Sequence, residues 1–412
     1  MPTERSSGVL GAFTLAALAL LVAPRVEAKG GGKTVTLTIG PFAIEAKRDR
    51  EVCQAVRVPH VPGMEILSSE VRSRSYRHGA VGTHHFIAYG YRGAHSSEFP
   101  PSSALVDDPG CNGFGPVDFF SNRVSIAASG GESRKGNWLV TAQATPAGLS
   151  QPLPNASDTP SDAIVVLNSH YFNESSRPAH GLVRVKLHLG PADPSKRVIR
   201  QVIAADACRT IDVPPGGTGT ETSTWQADGQ VNFTTEGGAN PSGDVCILYV
   251  TGHMHKRGER FMLDYVEQGR DPDRRLDYTD YVHPAVDYYY RGRLLPAFTA
   301  ENGWPQFRYT CIHANGADGK DLRMGCEVTP GVVPGVPWYE ADQLGDSVLD
   351  SHAQPCGNNA VNCTAGTTGR CVPANLVFGP LSDDDMCILV AAVFDPLPGL
   401  PADQACDPSY RR

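Results

Sequence analysis

Short runs in which apolar and polar residues alternate, cut off at close intervals by glycine and proline, leave this chain little to fold into except antiparallel β-sheet. The strand-like segments, several of them alternating, are "TVTLTIGPFAIEA" (34–46), "HHFIAYGY" (84–91), "AIVVLNSHYF" (163–172), "GLVRVKLHL" (181–189), "DVCILYVTGHMH" (244–255), "ERFMLDYVEQG" (259–269) and "MCILVAAVF" (386–394). Successive side chains on a strand point to opposite faces, so a half-buried strand alternates in this way. No window of a dozen residues keeps an apolar stripe of helical period. With 43 Gly and 33 Pro setting the breaks, many short strands joined by turns predict an all-β chain built of antiparallel β-sandwiches.

The first residues do not belong to this pattern. Arg5 precedes an apolar run from Val9 to Val22, and "VEA" ends in small residues at Ala28. That is the layout of a Sec-type signal peptide over residues 1–28. The run is shorter than the ~20 residues needed to span a bilayer, and no later segment resembles a membrane span. Eleven cysteines behind such a leader predict a secreted or periplasmic protein with several disulfides. The odd count leaves at least one thiol free or paired between chains. A net charge of -8 without any basic run excludes nucleic acid as an expected partner and gives no reason to sit on an anionic membrane.

The remaining chain exceeds the size at which one core stops growing, so two domains are expected. The boundary falls at "LGPADPSKR" (189–197), giving domains over 29–190 and 191–412. Within the second, "PPGGTGTETSTWQADG" (214–229) reads as an internal loop. The Gly-rich stretch 313–380, with Cys326, Cys356, Cys363 and Cys371, reads as a disulfide-stapled insertion. Asn-X-Ser/Thr sequons stand at Asn155, Asn173, Asn232 and Asn362.

Chemistry enters with histidine. Of thirteen, five occupy strand-like contexts: His84 and His85, His170 in "LNSHYFN", and His253 and His255 in "TGHMHKRG"; the other eight are read as loop or turn residues. On an extended strand, residues i and i+2 lie about 7 Å apart on one face, so His253 and His255 can reach one ion. Adjacent His84 and His85 face opposite ways on a flat strand and can share a metal only where the strand is twisted, bulged or ending. For that pair alone, one ring in the core and one in solvent is the simpler reading. His170, in a separate strand of the same half, offers a third imidazole by sheet pairing. Two centres are therefore expected, His84/His85/His170 and His253/His255 with a further ligand. Imidazole sites without clustered thiolates, in an oxidising compartment, favour copper or zinc.

At this point the motifs resemble those of the copper type II, ascorbate-dependent monooxygenases, the family of peptidylglycine α-hydroxylating monooxygenase and dopamine β-monooxygenase. "THHFIAYGY" is similar to the family's paired-histidine strand, "VLNSHYFN" to its "HY" strand, "TGHMHKRG" to its HxH strand and "SDDDMCILVAAVF" to its Met-Cys strand. The four occur in order over roughly residues 50–395. The resemblance implies two tandem jelly-roll β-sandwiches, with one copper on His84, His85 and His170 and a second on His253, His255 and Met386. Met254 and Met324 are rivals for the sulfur ligand; Met254, between the two histidines, would point to the opposite face. A thioether favours Cu(I). The implied reaction is hydroxylation of an activated C–H bond of a small substrate with O2, electrons coming from ascorbate or another one-electron donor, and His253, His255 and Met386 forming the catalytic centre.

The resemblance also implies a Cys311–Cys387 disulfide. Cysteines near Tyr91 and near Ala179 and His180 are lost relative to the family pattern, which predicts that Cys53 and Cys111 pair with each other. The basic residue that grips a peptide carboxylate in the peptide-hydroxylating branch is replaced by Thr251, and the polar residues after the Met-Cys by Ile388 and Val390. The substrate is therefore expected to be less charged, apolar or aromatic; Tyr288, Tyr289 and Tyr290 could line a pocket, but strand packing is the better explanation of them. Other classes remain: a non-catalytic copper storage or delivery protein on the same scaffold, and a zinc hydrolase, which the lack of a glutamate beside the HxH disfavours.

Overall fold

A computed structural model describes residues 25–29, 32–46, 48–59, 61, 63–76, 81–111, 113–131, 137–159, 161–173, 175–228, 243–281, 284–298, 305–317, 322–328, 367–378 and 385–410. The first half contains β1 (Arg25–Lys29), β2 (Gly32–Ile44), β3 (Arg48–Pro59), β4 (Met64–Tyr76), β5 (Val81–Tyr91), β6 (Val106–Asp107), β7 (Arg123–Gly131), β8 (Leu139–Ala144), β9 (Leu149–Ser150), β10 (Asp162–Asn173) and β11 (Ala179–Pro191). The second contains β12 (Arg197–Val198), β13 (Arg200–Ala204), β14 (Asp212–Val213), β15 (Gly217–Trp225), β16 (Val245–His253), β17 (Gly258–Val266), β18 (Asp273–Tyr278), β19 (Val286–Leu295), β20 (Gln306–Asn315), β21 (Met324–Val328), β22 (Thr367–Pro373), β23 (Leu376–Val377) and β24 (Ile388–Phe394). The described helices are single turns such as Phe119–Asn122 and Ala402–Ala405, and none is long and apolar enough to cross a membrane. The all-β antiparallel architecture expected from alternation is the one observed.

In the first half, sheets β1-β2-β11-β4-β8 and β6-β3-β10-β5-β7 face each other. Val35, Leu37, Ile39, Val183 and Val185 from one sheet pack with Phe86, Val165 and Leu167 from the other. Each such side chain, fully removed from water, contributes about 1.5–3 kcal/mol. β10 is buried along almost its whole length, which explains why "AIVVL" does not alternate. The main core covers one face of β10. An aromatic cluster of Tyr91, Phe99, Phe114 and Phe119, beside the Cys53–Cys111 disulfide, covers the other.

The second half repeats the plan with sheets β13-β24-β16-β19 and β15-β20-β17-β18 around Ile247, Leu263, Phe307, Tyr309, Leu389 and Val393. Residues 214–229 are not the loop expected from their Gly and Pro. Gly217–Trp225 form β15, because its Thr-rich run supplies β-branched residues and alternation buries Glu221 and Trp225. The linker stays attached to the first half: β12 runs parallel to β9, pairing Arg197 with Leu149. Arg197 also donates to the Ala405 carbonyl at 2.7 Å. Leu149 packs with Leu248, Phe394 and Cys406, so the C-terminal tail, stapled by Cys246–Cys406, helps hold the halves together.

Both expected disulfides are present, Cys53–Cys111 and Cys311–Cys387, and Cys208 is a buried free thiol. The signal-peptide expectation falls mostly outside the described residues, although Arg25–Ala28 belong to β1. Cys356, Cys363, Asn232 and Asn362 lie outside them. Asn173 is buried, and its side-chain amide donates to the carbonyls of Ile44, Glu45 and Arg177, so that sequon is closed to a glycan.

Candidate metal centre

His85 and His170 are register partners on adjacent strands β5 and β10. The next pair is Thr83 with Tyr171 on that side, while on the other side Gly130 opposite His85 is followed by Gly131 opposite Thr83. His84 is thus the extra residue of a β-bulge against both neighbours. The bulge rotates the backbone so that adjacent side chains turn the same way. The His84 and His85 ring centroids are 5.3 Å apart, and both lie within 5.3 Å of the His170 ring. The distortion that paired histidines require for sharing a metal is present.

A buried carboxylate that the sequence did not single out orients this set. Glu51 in β3 pairs in register with His170; its Oε1 is 3.3 Å from His85 Nε2 and its Oε2 3.9 Å from His170 Nδ1. Asn168 donates to Glu51 Oε1 at 2.7 Å and presents its Oδ1 to His85 Nε2 at 3.0 Å. Both neighbours of His85 Nε2 are acceptors, so that nitrogen carries the proton and Nδ1 keeps the lone pair that can bind a metal. Burial alone would raise the Glu51 carboxyl, but His170 and His85 outweigh it and hold the group down to about 2.

His253 ends β16 opposite Ile388 of β24. His255 and Met386 each lie two residues beyond that pair. One carboxylate oxygen ties the two: Asp385 Oδ1 accepts the backbone N–H of His255 at 2.9 Å and that of Met386 at 2.7 Å. Its other oxygen lies 2.9 Å from Nδ1 of His313, whose Nε2 lies 3.1 Å from Glu221 Oε2. All three side chains are buried. Burial would lower the His313 imidazole, yet Asp385 and Glu221 push it up to about 10, so it stands as an imidazolium between two carboxylates. Met254 is wholly buried in the second core, close against Gly258, and Met386 packs partly buried against the same core. Met324 pairs with Pro373 in the small β21–β22 sheet.

The two sets do not stand apart. His84 meets His253 and His255 with centroids 5.1 and 4.5 Å away, and it belongs to one donor triplet with His85 and His170 and to another with His253 and His255. Within each triplet all donors lie within 4.8 Å of one another. The sequence predicted two centres and left their relative placement open; here the five imidazoles form one cluster at the interface of the halves.

Burial, followed by the neighbouring imidazoles, drives His84 and His253 well below the ordinary histidine range, so both are neutral with a lone pair available. His84 Nε2 is buried without a hydrogen-bond partner. An imidazole nitrogen left bare among other imidazoles is costly unless a metal completes it, and neutral imidazoles suit copper or zinc. Thr251 donates its hydroxyl to the Ala285 carbonyl at 2.8 Å.

The other eight histidines are not all in loops. His180 and His188 lie in β11 and His313 in β20. A histidine two residues from Cys311, on the same strand face, was a signal for His313. The acidic run before Met386 was one for Asp385.

No protein-family model matches the chain, and no curated protein matches it. Solved structures similar to it include that of Cucumber Leaf Spot Virus, with TM-score 0.19 and 10% identity over 76% of this chain and 99% of that one. Another is a T=1 Penaeus vannamei nodavirus, with TM-score 0.18 and 10% identity over 68% and 99%. The PBSX exported protein XepA has TM-score 0.17 and 8% identity over 68% and 86%. Likenesses at such scores carry no argument about activity.

Proposed function

We propose that the chain is a secreted copper-dependent monooxygenase that hydroxylates an activated C–H bond of a small, weakly charged organic substrate. The supporting observation is the convergence of His84, His85, His170, His253 and His255 at one interface, with Met386 tied to His255 through Asp385. Bound copper would supply one-electron redox chemistry and reactivity toward dioxygen. In the balanced reaction one oxygen atom enters the C–H bond and the other leaves as water, with two protons and two electrons from a donor such as ascorbate.

The chain's own residues do the rest. Glu51 and Asn168 hold His85 in the tautomer with Nδ1 free. Asp385 fixes the backbone of His255 and Met386, and His313 with Glu221 keeps Asp385 charged and in place. Orientation by such partners typically changes metal affinity 10–100-fold. Thr251, Ile388 and Val390 offer no guanidinium fork to a carboxylate, which favours an uncharged substrate. The three disulfides among the described residues accord with an oxidising compartment.

Oxygen uptake by the copper-loaded protein with ascorbate tests the reading. Uptake that becomes coupled to a hydroxylated product when an apolar substrate is added is expected. Tight copper binding without coupled turnover of any substrate would leave the storage or delivery reading instead.

A further inference from the structure

The interface that carries the imidazoles also holds a cavity of about 660 Å3. Its walls come from β7 and β8 of the first half, from the linker at Val198–Val202, and from β16, β19 and β24 of the second. The volume lies within the roughly 300–1,000 Å3 typical of small-molecule sites. Ala128, Pro154, Val198, Leu248 and Tyr288 give it apolar and aromatic surface, Ser125, Thr145 and Gln151 add polar groups, and no carboxylate or lysine is among the lining residues. Of its two arginines, Arg92 and Arg200, the latter is paired with Asp395.

One polar group in this lining draws on both halves. Gln143 of β8, Gln201 of β13 and Tyr249 of β16 share this lining, and burial, then Tyr288, pushes the Tyr249 hydroxyl up to about 12. A neutral hydroxyl beside two amides can both donate to and accept from one hydroxyl of a ligand. The chamber is distinct from the metal-ligand positions. Ala128 pairs with Ile87, and Gly130 with His85, so its wall begins one strand repeat, about 7 Å, from His85. Thr251, Ile388 and Val390 are not among its lining residues.

We propose that this cavity is a binding site for a small neutral aromatic molecule carrying a hydroxyl, of phenol or naphthol size, held between the apolar walls with its hydroxyl on Tyr249, Gln143 and Gln201. The proposal does not depend on copper. It is tested by titrating metal-free full-length protein with 2-naphthol and following the ligand's fluorescence. Saturable binding to one site is expected. Ala128→Trp and Ala144→Trp, which fill the chamber from exposed wall positions, weaken it at least tenfold, whereas Val117→Trp, at a position 99% exposed, leaves it unchanged. Non-saturable uptake, or binding equally tight in whichever of the two filled variants folds, would overturn the assignment.

Discussion

His84 and His255 belong to opposite halves of the chain, yet their ring centroids stand 4.5 Å apart. His84 therefore serves both triplets of donors, and its loss has a different signature from the loss of a histidine in one triplet. His84→Ala is expected to lower copper retained per chain by more than His170→Ala does, with metal analysis after exhaustive dialysis as the readout. Equal retention in the two variants would mean that the shared position has no shared role.

Glu51 acts on His85 and His170 without itself being placed as a ligand. Glu51→Gln keeps the shape and removes the charge, so copper affinity, measured by competition with a chromophoric chelator, is expected to fall about 10–100-fold while the fold persists. An unchanged affinity would show that Asn168 alone sets the tautomer.

The ion pairs of His313 give a pH dependence whose sign is fixed. Its folded value of about 10 lies above the ~6.5 of an unperturbed histidine. The stabilisation is thus complete below about pH 6.5 and is lost as pH rises through about 10. Thermal unfolding of the metal-free protein is expected to weaken by several degrees between pH 7 and 10, and His313→Gln to flatten that slope. A parallel slope in the variant would place the titration elsewhere.

The Cys53–Cys111 disulfide closes a segment of 58 residues beside Asn168, whose amide lies 3.2 Å from Cys111 Sγ. Replacing both cysteines by alanine is expected to cost about 2–5 kcal/mol in chemical denaturation. Because Asn168 loses its neighbour, copper bound by the first triplet is expected to weaken as well. Stability within error of the parent would contradict this.

The strands and the five histidines were legible because alternation and i, i+2 spacing are local properties of a strand. A distortion at His84 followed from asking how adjacent imidazoles could share an ion, with twist, bulge and strand end left open; the structure has the bulge. Glu51, Asn168 and Glu221 were not legible, since which strands lie beside β10 and β20 is decided by sheet order, which no local pattern encodes. Cys246–Cys406 joins residues 160 apart and was hidden for the same reason. Residues 214–229 were misread because glycine and proline at the start masked the β-branched run behind them. The meeting of the two histidine sets depends on how the halves pack, through Leu149, the linker and the C-terminal tail.

X-ray absorption on the reduced, copper-loaded protein, with copper counted per chain, bears most directly on the metal centre. Two coppers are predicted, with a sulfur scatterer that disappears in Met386→Ala and survives in His170→Ala. One copper or none, or a sulfur signal indifferent to Met386, would contradict the account and withdraw the monooxygenase reading.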